Sequence, residues 1–205
     1  MFKSRNVGKG LATSVLILTA IVGFGLIGMA QPARSGTGTE THLVPRQPIA
    51  APTGFNGVCD RYIWACARGG YDTEQIGVLH LAKTVNASVN RTTRAVSDRR
   101  QYGDEEVWAL PTSFGGDCED IVLLKKRELV LRGVAPESLL IATVLDNRRA
   151  AHAVLVLRTG DEDLVLDNLK NRILPWQKTG YSFLRMQNPE APHKWDAVLA
   201  GGVFR

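Results

Sequence analysis

The chain reads as an α+β protein in which helices come first and an antiparallel sheet follows. Two observations carry this. Apolar residues recur at helical spacing in the first half, at Ile76, Leu79, Ala82, Val85 and Val89 and again after Asp117. Short Val- and Leu-rich runs divided by polar turns fill the second half from Leu139 onward, so the elements do not alternate as strand–helix–strand units.

The N-terminus reads as an export signal. Lys3, Arg5 and Lys9 precede residues 11–27, which are apolar or small apart from Thr13, Ser14 and Thr19, and Gly28-Met29-Ala30 meets a small-x-small cleavage rule. The alternative for residues 1–30 is an uncleaved anchor, because residues 11–30 are long enough to cross a bilayer. Either way the globular part is expected outside the cytoplasm, periplasmic or otherwise exported, with a membrane anchor in the second case. The three basic residues also supply most of the formal net charge of +5, so the case for a nucleic-acid partner is weak.

Residues 31–54 are rich in Pro, Gly, Thr and Ala, with Pro32, Pro45, Pro48 and Pro52 as breakers, and read as a linker. The domain is expected over residues 55–205. It contains all three cysteines, Cys59, Cys66 and Cys118. An odd count in an oxidising compartment leaves one thiol free or paired between chains. Cys59 and Cys66 are close enough in sequence for a local disulfide, which would leave Cys118 free.

Asp72, with Gln75 as reciprocal partner, caps a helix expected over residues 73–90. Arg91, Arg94, Arg99 and Arg100 then read as a solvated face. Residues 101–116 look irregular, and Trp108 and Phe114 in them are either cleft lining or core anchors. The next helix starts at Asp117 as N-cap, runs through Ile121, Leu124 and Leu129, carries Lys125, Lys126 and Arg127 on its wet side, and stops at Gly133. Strands follow at residues 139–145, 151–158 and 164–166, the last two forming a hairpin, with further strands at 181–186 and 195–199.

This layout puts Cys118 in the first turn of a helix, where free N–H groups and the helix dipole favour thiolate and offer donors to an oxyanion. Gly115 and Gly116 leave room for a substrate backbone. Asp117 and Glu119 oppose the thiolate, so an imidazolium or a cation is needed beside them. His152 opens an apolar strand, and Asp167 ends the next one, nearly opposite across the hairpin. A carboxylate there would orient the imidazole. Trp108 and Asn86 are conceivable side-chain donors to the oxyanion.

Three blocks in this order, Gly116-Asp117-Cys118-Glu119-Asp120, His152-Ala153-Val154-Leu155 and Leu166-Asp167-Asn168, together with Trp108-x-x-Pro111 upstream, resemble the bacterial transglutaminase-like cysteine proteinases, a family that includes the periplasmic LapG-type adhesin proteases. The resemblance covers roughly residues 55–200. It implies a papain/transglutaminase-like fold with the nucleophile helix packed on the sheet, and a triad of Cys118, His152 and Asp167. It also implies calcium, with Asp117, Glu119 and Asp120 as ligand candidates; no cofactor is needed for the chemistry itself. It points to a protein substrate such as a surface adhesin, and to a membrane-associated regulator. Two other functions stay open at this point: transglutaminase or deamidase acyl transfer, and a catalytically idle peptide-binding module.

Overall fold

The structure, a computed structural model, describes residues 40–69 and 75–204. The signal or anchor expected over residues 1–30 and the Asp72 cap lie outside the described residues. Among the described residues five α-helices, α1 (Val58–Arg61), α2 (Ile63–Cys66), α3 (Gln75–Thr92), α4 (Asp98–Gln101) and α5 (Cys118–Val130), precede nearly all of the sheet. The strands are β1 (Gln47–Ile49), β2 (Leu139–Leu145), β3 (Ala151–Arg158), β4 (Asp163–Leu166), β5 (Leu174–Pro175), β6 (Ser182–Gln187) and β7 (Trp195–Ala200). They form one sheet in the order β1-β7-β6-β2-β3-β4-β5, antiparallel at every pairing.

Both faces of this sheet are covered. Along β2 and β3, Leu139, Ile141, Ala153, Leu155 and Leu157 point to the core shared with α3 and α5, while Leu140, Ala142, Val144, Val154 and Val156 enter a second core with Trp176, Tyr181 and Phe183. The period-2 alternation of strand side chains sorts one dense apolar run into two layers. β2 and β3 match the strands expected from sequence, and their turn is tightened by Asp146, whose Oδ1 accepts from the N–H groups of Arg148 and Ala150.

Two expectations are corrected. The linker assigned to residues 31–54 is partly domain. Leu43 is 1% exposed, its N–H donates to Asp163 Oδ2 at 2.7 Å, and β1 pairs with β7. Prolines suit this segment because β1 is an edge strand, where a missing N–H costs no ladder bond. Lys125 and Lys126, expected on a wet face, are both fully buried, because α2, α3 and β3 all pack on α5. Burial drives both lysines down to about 7. Lys126 Nζ donates to Gln187 Oε1 at 3.0 Å, whereas Lys125 Nζ has no hydrogen-bond partner among the described residues.

Candidate active site

β3 outruns its neighbour. Its ladder with β4 stops at Leu155–Leu166, so residues 151–154 present a free edge on that side. The start of α5 meets this edge, and the Ala153 backbone N–H faces the Cys118 sulfur and favours its thiolate. Asp117 occupies the N-cap position, but its side chain makes no capping bond to the helix; its Oδ2 accepts instead from Asp98 N–H at 3.3 Å.

His152, 8% exposed, sits one residue before Ala153, and its Nε2 lies 2.9 Å from Asp167 Oδ1. Asp167 directly follows β4. Its carboxylate also accepts from Leu169 N–H at 2.9 Å and from the Tyr181 hydroxyl at 2.5 Å. Burial pulls the Asp167 carboxyl upward, but the bonds from His152 and Tyr181 outweigh it and hold the group below its ordinary range. The Asp167 carbonyl in turn accepts from Asn90 Nδ2 at 2.8 Å, which ties this corner to α3. Sequence reasoning singled out Cys118, His152 and Asp167 as candidates but not Tyr181, which reads as the first residue of an ordinary strand.

Cys118 and His152 line one cleft of ≈ 530 Å³, together with Glu119, Trp108, Thr143 and Arg185. Register shifts at Thr143/Val144 and Phe183/Arg185 bend the sheet where it forms the wall. Asn86 is not part of this cleft, since its Nδ2 donates to the carbonyls of Lys170 and Asn171. Trp108 is a core anchor as well as a lining residue, packed edge-on against Phe55 and Trp195, and its Nε1 has no hydrogen-bond partner among the described residues. Phe114 lies elsewhere, 75% exposed beside Arg94 and Arg100.

The two glycines before Cys118 serve packing and not substrate access. Gly115 has φ +123°, and a Cβ there would lie 2.1 Å from the Arg94 carbonyl oxygen; a Cβ at Gly116 would meet the Asp120 side chain. This close approach lets Ala95 and Gly116 form a parallel bridge, which carries the start of α4 to the start of α5.

That bridge assembles an acidic group. Oxygens of Asp98, Asp117 and Glu119 lie within 4.8 Å of one another. Of the three calcium candidates read from sequence, Asp117 and Glu119 belong to it. Asp120 lies outside this group; its Oδ1 accepts from Ala109 N–H at 2.8 Å, and its buried Oδ2 has no hydrogen-bond partner among the described residues. Asp98 was missed, because nothing in local spacing links residue 98 to residue 117. Burial pushes Glu119 up to about 8 and also raises Asp98, with Asp117 adding repulsion to both. No lysine or arginine forms a salt bridge with these acids among the described residues. Clustered hard oxygens that repel one another fit a calcium ion. The Cys118 thiol donates to Glu119 Oε2 at 3.0 Å, and burial followed by the Glu119 charge pushes its pKa up, so the thiol is protonated beside these uncompensated acids. Cys59 and Cys66 are bonded to each other, and Cys118 is the free cysteine.

A helix-start thiol sharing a cleft with a carboxylate-bound imidazole, on an antiparallel sheet, defines a thiol hydrolase of the papain and transglutaminase type. The sequence model of the bacterial transglutaminase-like cysteine proteinases (BTLCP) matches residues 46–202. The chain belongs to this family and is a cysteine peptidase. Among solved structures it is similar to calcium-bound LapG of Legionella pneumophila, at 26% identity and TM-score 0.51 over 61% of this chain and 71% of that one. It also matches EGTA-treated LapG of the same organism, at 28% identity and TM-score 0.47 over 54% and 63%. No curated protein matches.

Proposed function

We propose that the protein is an exported protease that cuts a peptide bond of a periplasmic or surface protein, with Cys118 as nucleophile, His152 as base and Asp167 as the histidine's partner. The observation that carries this is the shared cleft: Cys118 and His152 line it together, while Asp167 occupies His152 Nε2 and leaves Nδ1 for the thiol. In the reaction the Cys118 thiol gives its proton to His152 and the sulfur bonds to the substrate carbonyl carbon. The oxyanion is stabilised by the Cys118 backbone N–H at the helix start. Collapse breaks the C–N bond as His152 protonates the leaving amine. His152 then takes a proton from water, whose oxygen displaces the sulfur and frees the acid product.

Asp98, Asp117 and Glu119 would hold calcium, which supplies positive charge next to Cys118 when bound. The calcium-bound state of the LapG relative supports this reading. The expected substrate is a surface adhesin, with a membrane-associated regulator, in keeping with the family resemblance.

The test is incubation of the purified protein with periplasmic and surface proteins, with calcium or with chelator, beside Cys118→Ala. Discrete cleavage products that need both calcium and Cys118 are expected. Crosslinked products or a one-dalton mass change would instead mean amide transfer, and products from Cys118→Ala would overturn the assignment.

A further inference from the structure

The Asp167 carboxylate is held more tightly than a histidine partner requires. One oxygen receives His152 Nε2 and Leu169 N–H; the other receives the Tyr181 hydroxyl at 2.5 Å. A carboxylate bonded through one oxygen can swing about its Cβ–Cγ bond, and the imidazole swings with it. A donor on the second oxygen removes that freedom. Tyr181 is itself immobilised: it is 2% exposed, and its N–H donates to Thr179 Oγ1 at 3.1 Å. Its ring meets the His152 ring edge-on, with centroids 6.0 Å apart at 89°.

We propose that Tyr181 is a positioning residue for hydrolysis, its hydroxyl locking the Asp167 carboxylate so that His152 presents its free nitrogen to Cys118. This rests on the triad reading above. Other charged groups also face the pair. The buried Lys125 on α5 attracts Asp167, Lys170 lies 5.4 Å over the Tyr181 ring, and Asp146 in the β2–β3 turn repels a Tyr181 phenolate. None of these donates a hydrogen bond to the second Asp167 oxygen.

The experiment measures the rate of Cys118 alkylation by iodoacetamide against pH, using the full chain in calcium. Cys118 is the free thiol, so labelling reports on it alone. Tyr181→Phe keeps the ring and its packing but strips the donor. It is expected to lower the plateau rate about tenfold, the weight of one hydrogen bond to a charged group. It should also move the acid limb up by about one pH unit, as Asp167 loses a bond that favours its anion. Site-specific 2,3-difluorotyrosine at 181, a stronger donor of nearly the same size, should move the limb the other way; it decides the matter if Tyr181→Phe does not fold.

An activated Cys118 with plateau and limb unchanged in Tyr181→Phe, or a limb that difluorotyrosine leaves in place, overturns the role of Tyr181 and spares the triad. A wild-type Cys118 no more reactive than N-acetylcysteine at neutral pH overturns the triad reading, and the Tyr181 role with it.

Discussion

Two buried carboxylate groups flank the cysteine–histidine cleft, and the chain treats them in opposite ways. Asp167 is surrounded by donors from His152, Tyr181 and Leu169, and its pKa is held down. Asp98, Asp117 and Glu119 face one another and receive one donor each, from Val107 N–H, Asp98 N–H and the Cys118 thiol, and Glu119 is pushed up to about 8. The first group is balanced by the protein itself. The second has no Lys or Arg salt-bridge partner among the described residues. On the triad and calcium readings proposed above, the histidine side is permanent and the cysteine side is conditional.

The sharpest way to break the permanent side is Asp167→Asn. The amide cannot support an imidazolium as the carboxylate does, and kcat/KM is expected to fall roughly 10³–10⁴-fold. A loss below tenfold in steady-state kinetics would show that Asp167 does not orient His152.

Next in size is the response of stability to calcium and pH. In chelator, Glu119 at about 8 and Asp120 at about 7 keep protons in the folded state that the unfolded chain has already released. Their contribution is complete below about pH 4 and is lost as pH climbs through 7 and 8. Asp167 runs the other way, contributing above its unfolded value of 3.8 and losing that as pH falls through its folded one. One fixed calcium concentration, about 100 times the dissociation constant at pH 8, should therefore raise Tm by roughly 5 °C or more at pH 8 and by much less at pH 5, where protonation of the acids weakens binding. Equal shifts at both pH values in a thermal melt would place the ion elsewhere.

A smaller change is expected from Glu119→Gln. With one negative charge gone from beside the sulfur, alkylation of Cys118 in chelator should speed up about tenfold at pH 9, above the Glu119 value of about 8, where that carboxyl is ionised. The further acceleration by calcium should disappear, because a ligand is lost. Unchanged labelling with and without calcium would separate Glu119 from the thiol's ionisation.

The least dramatic test concerns Lys125. With Nζ unpartnered and its pKa down at about 7, it must be buried charged at lower pH. Lys125→Met should add about 1 kcal/mol to the unfolding free energy at pH 6, an effect that fades towards pH 10. Denaturant titrations at the two pH values measure it.

The sequence exposed what is local. The bounds of β2 and β3 were legible because dense Val and Leu runs stop at polar turns, and the start of α5 because Gly115, Gly116 and Asp117 punctuate it. Cys118 and His152 of the cleft, and Asp167 behind the histidine, were singled out from those elements plus hairpin proximity. What escaped depends on pairings between distant segments. Asp98 reaches Glu119 through the Ala95–Gly116 bridge, and Tyr181 reaches Asp167 across the intervening β5 segment. Lys125 and Lys126 looked wet because three consecutive basic residues usually are. Only the packing of α2, α3 and β3 around α5 reverses that.

The rim of the sheet bears on how the molecule coexists with stretched polypeptides. Its outermost members, β1 and β5, have three and two residues, and each contains a proline, Pro48 and Pro175. Neither border offers a row of amides long enough to zip up an eighth ribbon. Strangers and sibling molecules alike are denied a template there, so an unfolded visitor is left the groove as its berth, and the catalyst keeps clear of tangling into fibres with the material it handles.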